Sequence, residues 1–164
     1  MDSLTELPFG LPGKIYRSPM PFGPYDSAGI IFEAYKSHNV AVVVVLAEDE
    51  ECVQKAKRNL PAFYTREGLD VIHCPIRDFT VPSFTDLQTG LSQTISHATY
   101  GRNVAIHCSA GIGRTGLFAA LLARALLGLS GEEAIQWVRQ YIEGAVETTE
   151  QRQFVISATV ASPK

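Results

Sequence analysis

Residues 103–127, NVAIHCSAGIGRTGLFAALLARALL, carry the clearest structural pattern of this chain. Residues 103–107 predict a short strand, and residues 117–127 predict a helix that is apolar almost all round. A helix without a polar face has to be buried. A strand that leads through a glycine-containing loop into a buried helix is typical of α/β proteins.

The same alternation of strands and helices extends to both sides of this stretch. Residues 40–46 (VAVVVVL) are continuously apolar and β-branched, as in a central parallel strand, and residues 69–74 predict the next strand. Helices are predicted at 26–38, at 48–58 with a stop near Pro61, from Ser83, from Ser130 to about Ile142, and from Thr148 to about Val160. We therefore expect one α/β domain, residues 1–164, with a central, mostly parallel sheet flanked by helices.

The first 25 residues differ from the rest because they are rich in glycine and contain five prolines. Such a composition predicts turns and irregular structure. We expect an irregular N-terminal arm at residues 1–13, followed by one short strand at residues 14–17.

Composition and charge restrict the possible partners. The chain is 46% hydrophobic and 19% charged, as in an ordinary globular protein, and its net charge of −3 predicts no binding of nucleic acid or of an anionic membrane. Its three cysteines have no regular spacing, which argues against a disulfide framework and against a zinc site. Neither a secretory signal nor a membrane-spanning apolar run is visible. We expect a cytoplasmic monomer.

The loop between the strand and the buried helix predicts an anion-binding site. A loop that leaves the carboxyl end of a parallel strand and enters a helix directs several backbone N–H groups into one concavity. Gly111 and Gly113 permit the backbone conformations that this requires. The N-terminus of the following helix adds a partial positive charge, so the concavity suits an anion such as phosphate.

Three side chains of the loop predict its chemistry. A helix N-terminus and a nearby guanidinium favour the thiolate form of Cys108, and hence its use as a nucleophile. The planar guanidinium of Arg114 can bind two phosphate oxygens. Thr115 can donate its hydroxyl to the sulfur of Cys108 and so stabilise it as a leaving group. The alternative is a glycine-rich turn that contains a buried, inert cysteine.

Residues 107–116, HCSAGIGRTG, resemble the HCxxGxxR[S/T]G signature of the cysteine-based protein tyrosine phosphatase superfamily, in particular its compact, dual-specificity-like members. The resemblance implies a phosphatase that forms a cysteinyl-phosphate on Cys108 and needs no metal and no other cofactor. In such a phosphatase Arg114 and the rest of the loop bind the phosphate: Ser109, Ala110, Gly111, Ile112 and Gly113. The family's histidine orients the loop, so His107 is predicted as a supporting residue, although a histidine at the end of a strand can equally be a core residue.

The resemblance also implies a general acid and a side chain that positions water. Asp78, in the segment PIRDFTVPS at residues 75–83, is similar to the acid of the family's mobile loop, which protonates the leaving oxygen and then activates water. Asp86 is the competing carboxylate, but its place fits the first turn of a helix. Gln151 resembles the water-positioning glutamine of small phosphatases, and it is also the expected capping partner of Thr148.

These observations predict a protein phosphatase acting on phosphotyrosine, with some phosphoserine and phosphothreonine, so its partner is a phosphorylated protein or peptide. The loop has no lysine to meet further phosphates of a phosphoinositide, and the acidic net charge disfavours an RNA 5′-phosphate, but both substrates stay open as alternatives. A phosphoprotein-binding pseudophosphatase usually lacks the cysteine, the arginine or the aspartate, all of which are present. A rhodanese-type sulfurtransferase is disfavoured by the Arg-Thr-Gly ending of the loop and by Asp78.

Overall fold

The computed structural model describes residues 4–160. Its strands form one sheet, made of β1 (Thr5–Leu7), β2 (Ile15–Ser18), β3 (Val40–Val45), β4 (Asp70–His73) and β5 (Asn103–His107). The strand order is β1-β2-β5-β3-β4. Strands β2, β5, β3 and β4 run parallel, whereas β1 pairs with β2 in the antiparallel direction at one edge. The predicted α/β fold with a mostly parallel sheet is confirmed.

Helices connect the strands and continue after the last one. They are α1 (Ile30–Ser37), α2 (Asp49–Ala56), α3 (Leu60–Arg66), α4 (Phe84–Thr99), α5 (Gly113–Leu127), α6 (Gly131–Arg139) and α7 (Thr149–Ser157). Between residues 4 and 160, no helix combines the length and the apolar character that crossing a bilayer demands.

Two apolar cores lie on opposite faces of the sheet. Val43 and Val45 of β3 belong to the core shared with α1, α2 and α3, whereas Val42 and Val44 belong to the core shared with α4, α5 and α6. Because helices cover both faces of the sheet, the side chains of β3 point into an apolar core on either face. This explains the unbroken apolar sequence of the strand. Helix α5 is buried along nearly its whole length, as its composition predicts.

The N-terminal arm is more regular than its composition indicates. Residues 5–7 form β1 and pair with residues 15–17 of β2, so the expectation that residues 1–13 are irregular is wrong for this segment. Residues 1–3 lie outside the described part of the chain. The strand forms because β2 offers a free edge, which is a property of the folded sheet and not of the segment itself.

Two helix boundaries also differ from those predicted. Helix α1 begins at Ile30 and not at Asp26, yet the Asp26 carboxylate still caps it by accepting a hydrogen bond from the N–H of Ile30 at 2.9 Å. Pro61 does not end a helix but lies in the first turn of α3. Backbone N–H groups in the first turn have no partner within the helix, so a proline is tolerated there. The side chain of Asn59 caps this unpredicted helix through the N–H of Ala62 at 3.0 Å.

The burial of α5 leads to a stability prediction. Leu121→Ala removes a fully buried side chain and leaves a cavity, so we expect the free energy of unfolding to fall by about 2–5 kcal/mol. Leu127→Ala is the matched control, because Leu127 lies on the same helix but is 37% exposed. Urea denaturation measures both variants. Equal losses for the two substitutions would contradict the position of α5 in the core.

Candidate active site

The candidate functional groups gather at the edge of the sheet where the parallel strands end. His107 at the end of β5 pairs with Ser18 of β2 and with Val45 of β3, and Val45 pairs with His73 of β4. The segments that follow these four strands therefore leave the sheet side by side. In open α/β sheets ligands bind at this edge.

A pocket of about 290 Å³ lies at this edge. Six of the predicted site residues line it: Asp78, Cys108, Ser109, Ala110, Gly113 and Arg114. Four lining residues had no predicted role: Tyr25, Lys55, Phe79 and Glu147. A larger pocket of about 420 Å³ lies beside α4, is lined by Cys74 and Asp86 among others, and contains none of the loop residues. The predicted site residues therefore gather at the smaller pocket.

The peptide groups of the loop after β5 are oriented for anion binding. The carbonyl oxygen of Ser109 accepts a hydrogen bond from the N–H of Met20 at 2.8 Å, and the carbonyl oxygen of Gly111 accepts two from Arg17 at 2.8 and 3.1 Å. Neither Met20 nor Arg17 lines the pocket. The N–H groups of residues 109–112, in contrast, make no hydrogen bond with residues 4–160. A row of free N–H groups at the start of a helix forms a cradle for an anion.

Glycine is required at the centre of this loop. Gly111 has a φ of +77°, a conformation that side chains rarely adopt. A Cβ atom at this position would also collide with the carbonyl oxygen of Ser18. Both constraints follow from the close approach of the loop to the end of β2, so the glycine is needed for the shape of the cradle.

His107 is buried and supports the loop through a hydrogen bond to its backbone. Burial lowers the pKa of His107 to about 4, so its imidazole is neutral near pH 7 and has one donor and one acceptor nitrogen. A carbonyl can only accept, so Nδ1–H donates to the carbonyl oxygen of Cys108 at 3.1 Å. Nε2 then accepts from the hydroxyl of Tyr64 at 2.9 Å. Burial also raises the pKa of Tyr64 well above its ordinary value, which keeps this donor protonated.

Arg114 is held by a buried ion pair. Its Nη1 and Nη2 donate to the two carboxylate oxygens of Glu51 at 2.7 and 2.8 Å, and Nη1 also donates to the carbonyl oxygen of Ile76 at 2.9 Å. The side chain of Arg114 is only 2% exposed. Its Nε has no hydrogen-bond partner among residues 4–160, so the edge formed by Nε and Nη2 is the one that can bind phosphate oxygens.

Glu51 connects this ion pair to a second cation. Lys55 donates to Oε2 of Glu51 at 2.9 Å and to the hydroxyl of Ser109 at 2.9 Å. Burial by itself raises the pKa of Glu51, but the hydrogen bonds from Arg114 and Lys55 outweigh burial and lower this pKa to about 2. Burial likewise lowers the pKa of Arg114, and the bond with Glu51 more than reverses this effect. Both partners therefore stay charged.

The two competing aspartates lie in different places. Asp78 is 41% exposed at the mouth of the pocket, and its Oδ1 lies 3.3 Å from Nη2 of Arg114. Asp86 lies in the first turn of α4 and lines the separate pocket beside that helix. Of the two carboxylates, only Asp78 shares a pocket with Cys108.

Two predicted residues do not make the contacts expected of them. The hydroxyl of Thr115 is buried and has no hydrogen-bond partner among residues 4–160, so the expected bond to the sulfur of Cys108 is not formed. Gln151 is 1% exposed and does not line the pocket. Its Oε1 accepts from the N–H groups of Glu147 and Thr148 at 2.9 and 3.2 Å, so it completes the capping box of α7. An amide oxygen occupied in this way is not free to position water.

Several residues that build the site were not predicted from the sequence. Glu51 and Lys55 are four residues apart, as in an ion pair on a solvated helix. Nothing in the sequence indicates that they lie next to a loop more than 50 residues away. Arg17 ends a predicted strand, and only the pairing of β2 with β5 brings it to Gly111. Glu147 precedes a predicted helix and was given no role.

The family model "Polymorphic toxin system, DSP-PTPase phosphatase" matches residues 25–127 of this chain. Two uncharacterized proteins of Methanocaldococcus jannaschii, MJECL20 and MJ0215, are 38% and 36% identical to it over 90 residues, which are 54% of this chain. The matched part spans 58% and 54% of their lengths, little more than half. Tyrosine-protein phosphatase cdc-14 of Caenorhabditis elegans is 26% identical over 83% of this chain and 19% of its own length.

Solved structures agree with this family assignment. Tk-PTP in its active form has a TM-score of 0.73 and 34% identity, covering 86% of this chain and 88% of its own. The kinase associated phosphatase, solved with serine in place of its catalytic-site cysteine, has a TM-score of 0.83, covering 93% of this chain and 90% of its own. Its identity is 22%, so this likeness concerns the fold. Since the family model matches more than half of the 164 residues, this chain belongs to the family described as "Polymorphic toxin system, DSP-PTPase phosphatase", among the compact, dual-specificity-like members of the cysteine-based protein tyrosine phosphatase superfamily.

Proposed function

We propose that this chain hydrolyses phosphotyrosine, and to a smaller extent phosphoserine and phosphothreonine, in proteins or peptides through a phosphate ester of Cys108. The observation that carries the proposal is the row of free N–H groups at residues 109–112, next to Cys108 at the wall of the pocket. Such a cradle stabilises the oxygen atoms of a phosphate during transfer. The cysteines at 52, 74 and 108 are free, which supports a reducing compartment such as the cytoplasm.

The residues that line the pocket favour a substrate with an aromatic ring. Tyr25 and Phe79 both line it, and these two residues are 64% and 62% exposed. An aromatic ring that enters the pocket can pack against these two rings and bury apolar surface. Phosphoserine and phosphothreonine have no ring to place there, so we expect them to bind more weakly.

The first step is phosphoryl transfer to the protein. The thiolate of Cys108 attacks phosphorus, the bond to the substrate oxygen breaks, and Asp78 gives that oxygen a proton. The free edge of Arg114 and the loop N–H groups bind the other phosphate oxygens. Attack by water then breaks the phosphorus–sulfur bond and releases inorganic phosphate.

Replacing the nucleophile tests the proposed intermediate. We expect Cys108→Ser to abolish turnover of p-nitrophenyl phosphate and of a phosphotyrosine peptide, because a neutral hydroxyl does not replace a thiolate. Binding of the peptide, measured by calorimetry, should persist because the cradle is unchanged. Cys74→Ser is the control and should retain activity, since Cys74 lies outside the pocket. Turnover by Cys108→Ser close to that of the parent would refute the intermediate.

Replacing the proposed acid tests the role of Asp78. We expect Asp78→Asn to lose about 10²–10⁴-fold in kcat on phosphotyrosine, whose leaving group needs a proton. The loss should be smaller on p-nitrophenyl phosphate, because p-nitrophenolate leaves as a stable anion. Asp86→Asn is the matched control and should keep both rates. If Asp86→Asn lost the rate on phosphotyrosine and Asp78→Asn kept it, the acid would have to be Asp86.

Replacing Glu51 tests whether it holds the phosphate-binding arginine. Glu51→Gln removes the buried counter-charge of Arg114 and leaves only the more exposed carboxylate of Asp78 near it, so we expect the free energy of unfolding to fall by about 3–5 kcal/mol and kcat/KM to fall with it. Glu50→Gln, at the exposed neighbouring position on α2, is the control. Urea denaturation and steady-state kinetics measure both effects. An active Glu51→Gln variant of parental stability would contradict the positioning role.

A further inference from the structure

Two basic and two acidic side chains line the candidate active-site pocket, and three of these four have a charged partner. Lys55 and Arg114 both form ion pairs with Glu51, at 2.9 and 2.7 Å. Asp78 lies 3.3 Å from Arg114. The fourth side chain, that of Glu147, makes neither a salt bridge nor a hydrogen bond within residues 4–160. The charge that the wall of the pocket leaves free for a substrate is therefore negative.

Glu147 lies beside the phosphate cradle, in the segment between α6 and α7. A Cβ atom at Gly113 would collide with the carboxylate of Glu147, and Gly113 is the first residue of α5. Glu147 is also exposed, so a side chain of a bound substrate can reach its carboxylate from outside. A group that lies next to the phosphate of the substrate thus meets this carboxylate.

The backbone around Glu147 is held from both sides. Gln151 accepts a hydrogen bond from the N–H of Glu147 at 2.9 Å, and Arg139 donates to the carbonyl oxygens of Ala145 and Val146 at 2.9 and 3.2 Å. Val146 has a φ of +62°, which is strained for a β-branched residue and persists only where the surroundings enforce it. Because this backbone is already ordered, little conformational entropy is lost there when Glu147 binds a partner.

We propose that Glu147 selects substrates in which a basic residue, arginine or lysine, lies next to the phosphotyrosine. This proposal rests on the function proposed above and names its substrate class. The loop N–H groups and Arg114 bind the phosphate, and Glu147 forms an ion pair with the basic side chain beside it. The planar guanidinium of an arginine can donate two hydrogen bonds to the two oxygen atoms of Glu147, so arginine is preferred to lysine.

The same carboxylate disfavours substrates that carry more than one negative group. An acidic side chain beside the phosphotyrosine, or a second phosphate on a phosphoinositide or an RNA end, is repelled by Glu147. Apart from the edge of Arg114 that binds the target phosphate, the pocket wall offers such a group no free cation among residues 4–160, since Lys55 is bound to Glu51. Specificity depends on unfavourable contacts of this kind as well as on favourable ones.

Peptides that differ in one residue beside the phosphotyrosine test this selection. The reference peptide has alanine on both sides, and arginine or glutamate replaces one alanine at a time. For at least one of the two positions, we expect the parent's kcat/KM to be about 4–20-fold higher with arginine than with glutamate, because an exposed ion pair and a like-charge contact each change it by about 2–5-fold. Added salt should reduce this ratio, since it screens exposed charges.

Variants of the carboxylate assign the preference to Glu147. Glu147→Gln should abolish the preference, and Glu147→Lys should reverse it, so that the glutamate peptide becomes the better substrate. Glu150→Gln, an exposed position in the first turn of α7, is the matched control and should keep the parental ratio. The ratio between two peptides on one variant does not depend on a general loss of activity or of folded protein, because both peptides meet the same enzyme.

The remaining outcomes separate this inference from the function on which it rests. If the parent hydrolyses the arginine and glutamate peptides equally well at both positions, the selection does not exist, although the phosphotyrosine function stands. A preference for arginine that persisted in Glu147→Gln would overturn the role of Glu147. If the parent hydrolyses p-nitrophenyl phosphate but none of the peptides, the proposed function fails together with this inference.

Discussion

The carbonyl oxygens of the loop after β5 are bound by groups outside the pocket, and the rest of the site depends on this arrangement. A peptide group that points its oxygen one way points its N–H the other way, so binding the oxygens of Ser109 and Gly111 frees the N–H groups for an anion. Arg17 and Met20, which bind those oxygens, come from β2 and the segment after it. The parallel pairing of β2 with β5 is therefore a condition for the cradle as well as a part of the sheet.

The buried ion pair between Arg114 and Glu51 adds a second constraint. Removing a guanidinium from water is unfavourable unless a partner compensates for its lost hydration, and such pairs contribute little net stability. In this protein the ion pair fixes the position of the Arg114 side chain. Glu51 binds the Nη1–Nη2 edge of the guanidinium and leaves Nε without a partner among residues 4–160, and Lys55 extends the network to the hydroxyl of Ser109. Helix α2 thus belongs to the site, although its charged sequence suggests a solvated surface.

The segments that line the site are held by different contacts. The cradle and the segment around Glu147 are held by hydrogen bonds from Arg17, Arg139 and Gln151. Asp78 instead lies in a loop bounded by Pro75 and Pro82, and its side chain is 41% exposed. In the function proposed above, a general acid on an exposed loop can meet leaving groups of different size, whereas the groups that bind phosphate need a fixed geometry.

Features that depend on residues close together in the chain can be predicted from the sequence. Local patterns predict the apolar strand β3, the buried helix α5, the helix starts near Ser130 and Thr148, and the strand–loop–helix order around Cys108. The structure confirms all four. The tertiary structure alone decided the contacts between distant segments. Arg17 meets Gly111 across 94 residues and Arg114 meets Glu51 across 63, and no local pattern encodes either distance. The tertiary structure also distinguishes between two roles of Gln151. Capping a helix and positioning water would both use its side-chain oxygen. Only the position of that oxygen in the folded chain shows that backbone N–H groups occupy it.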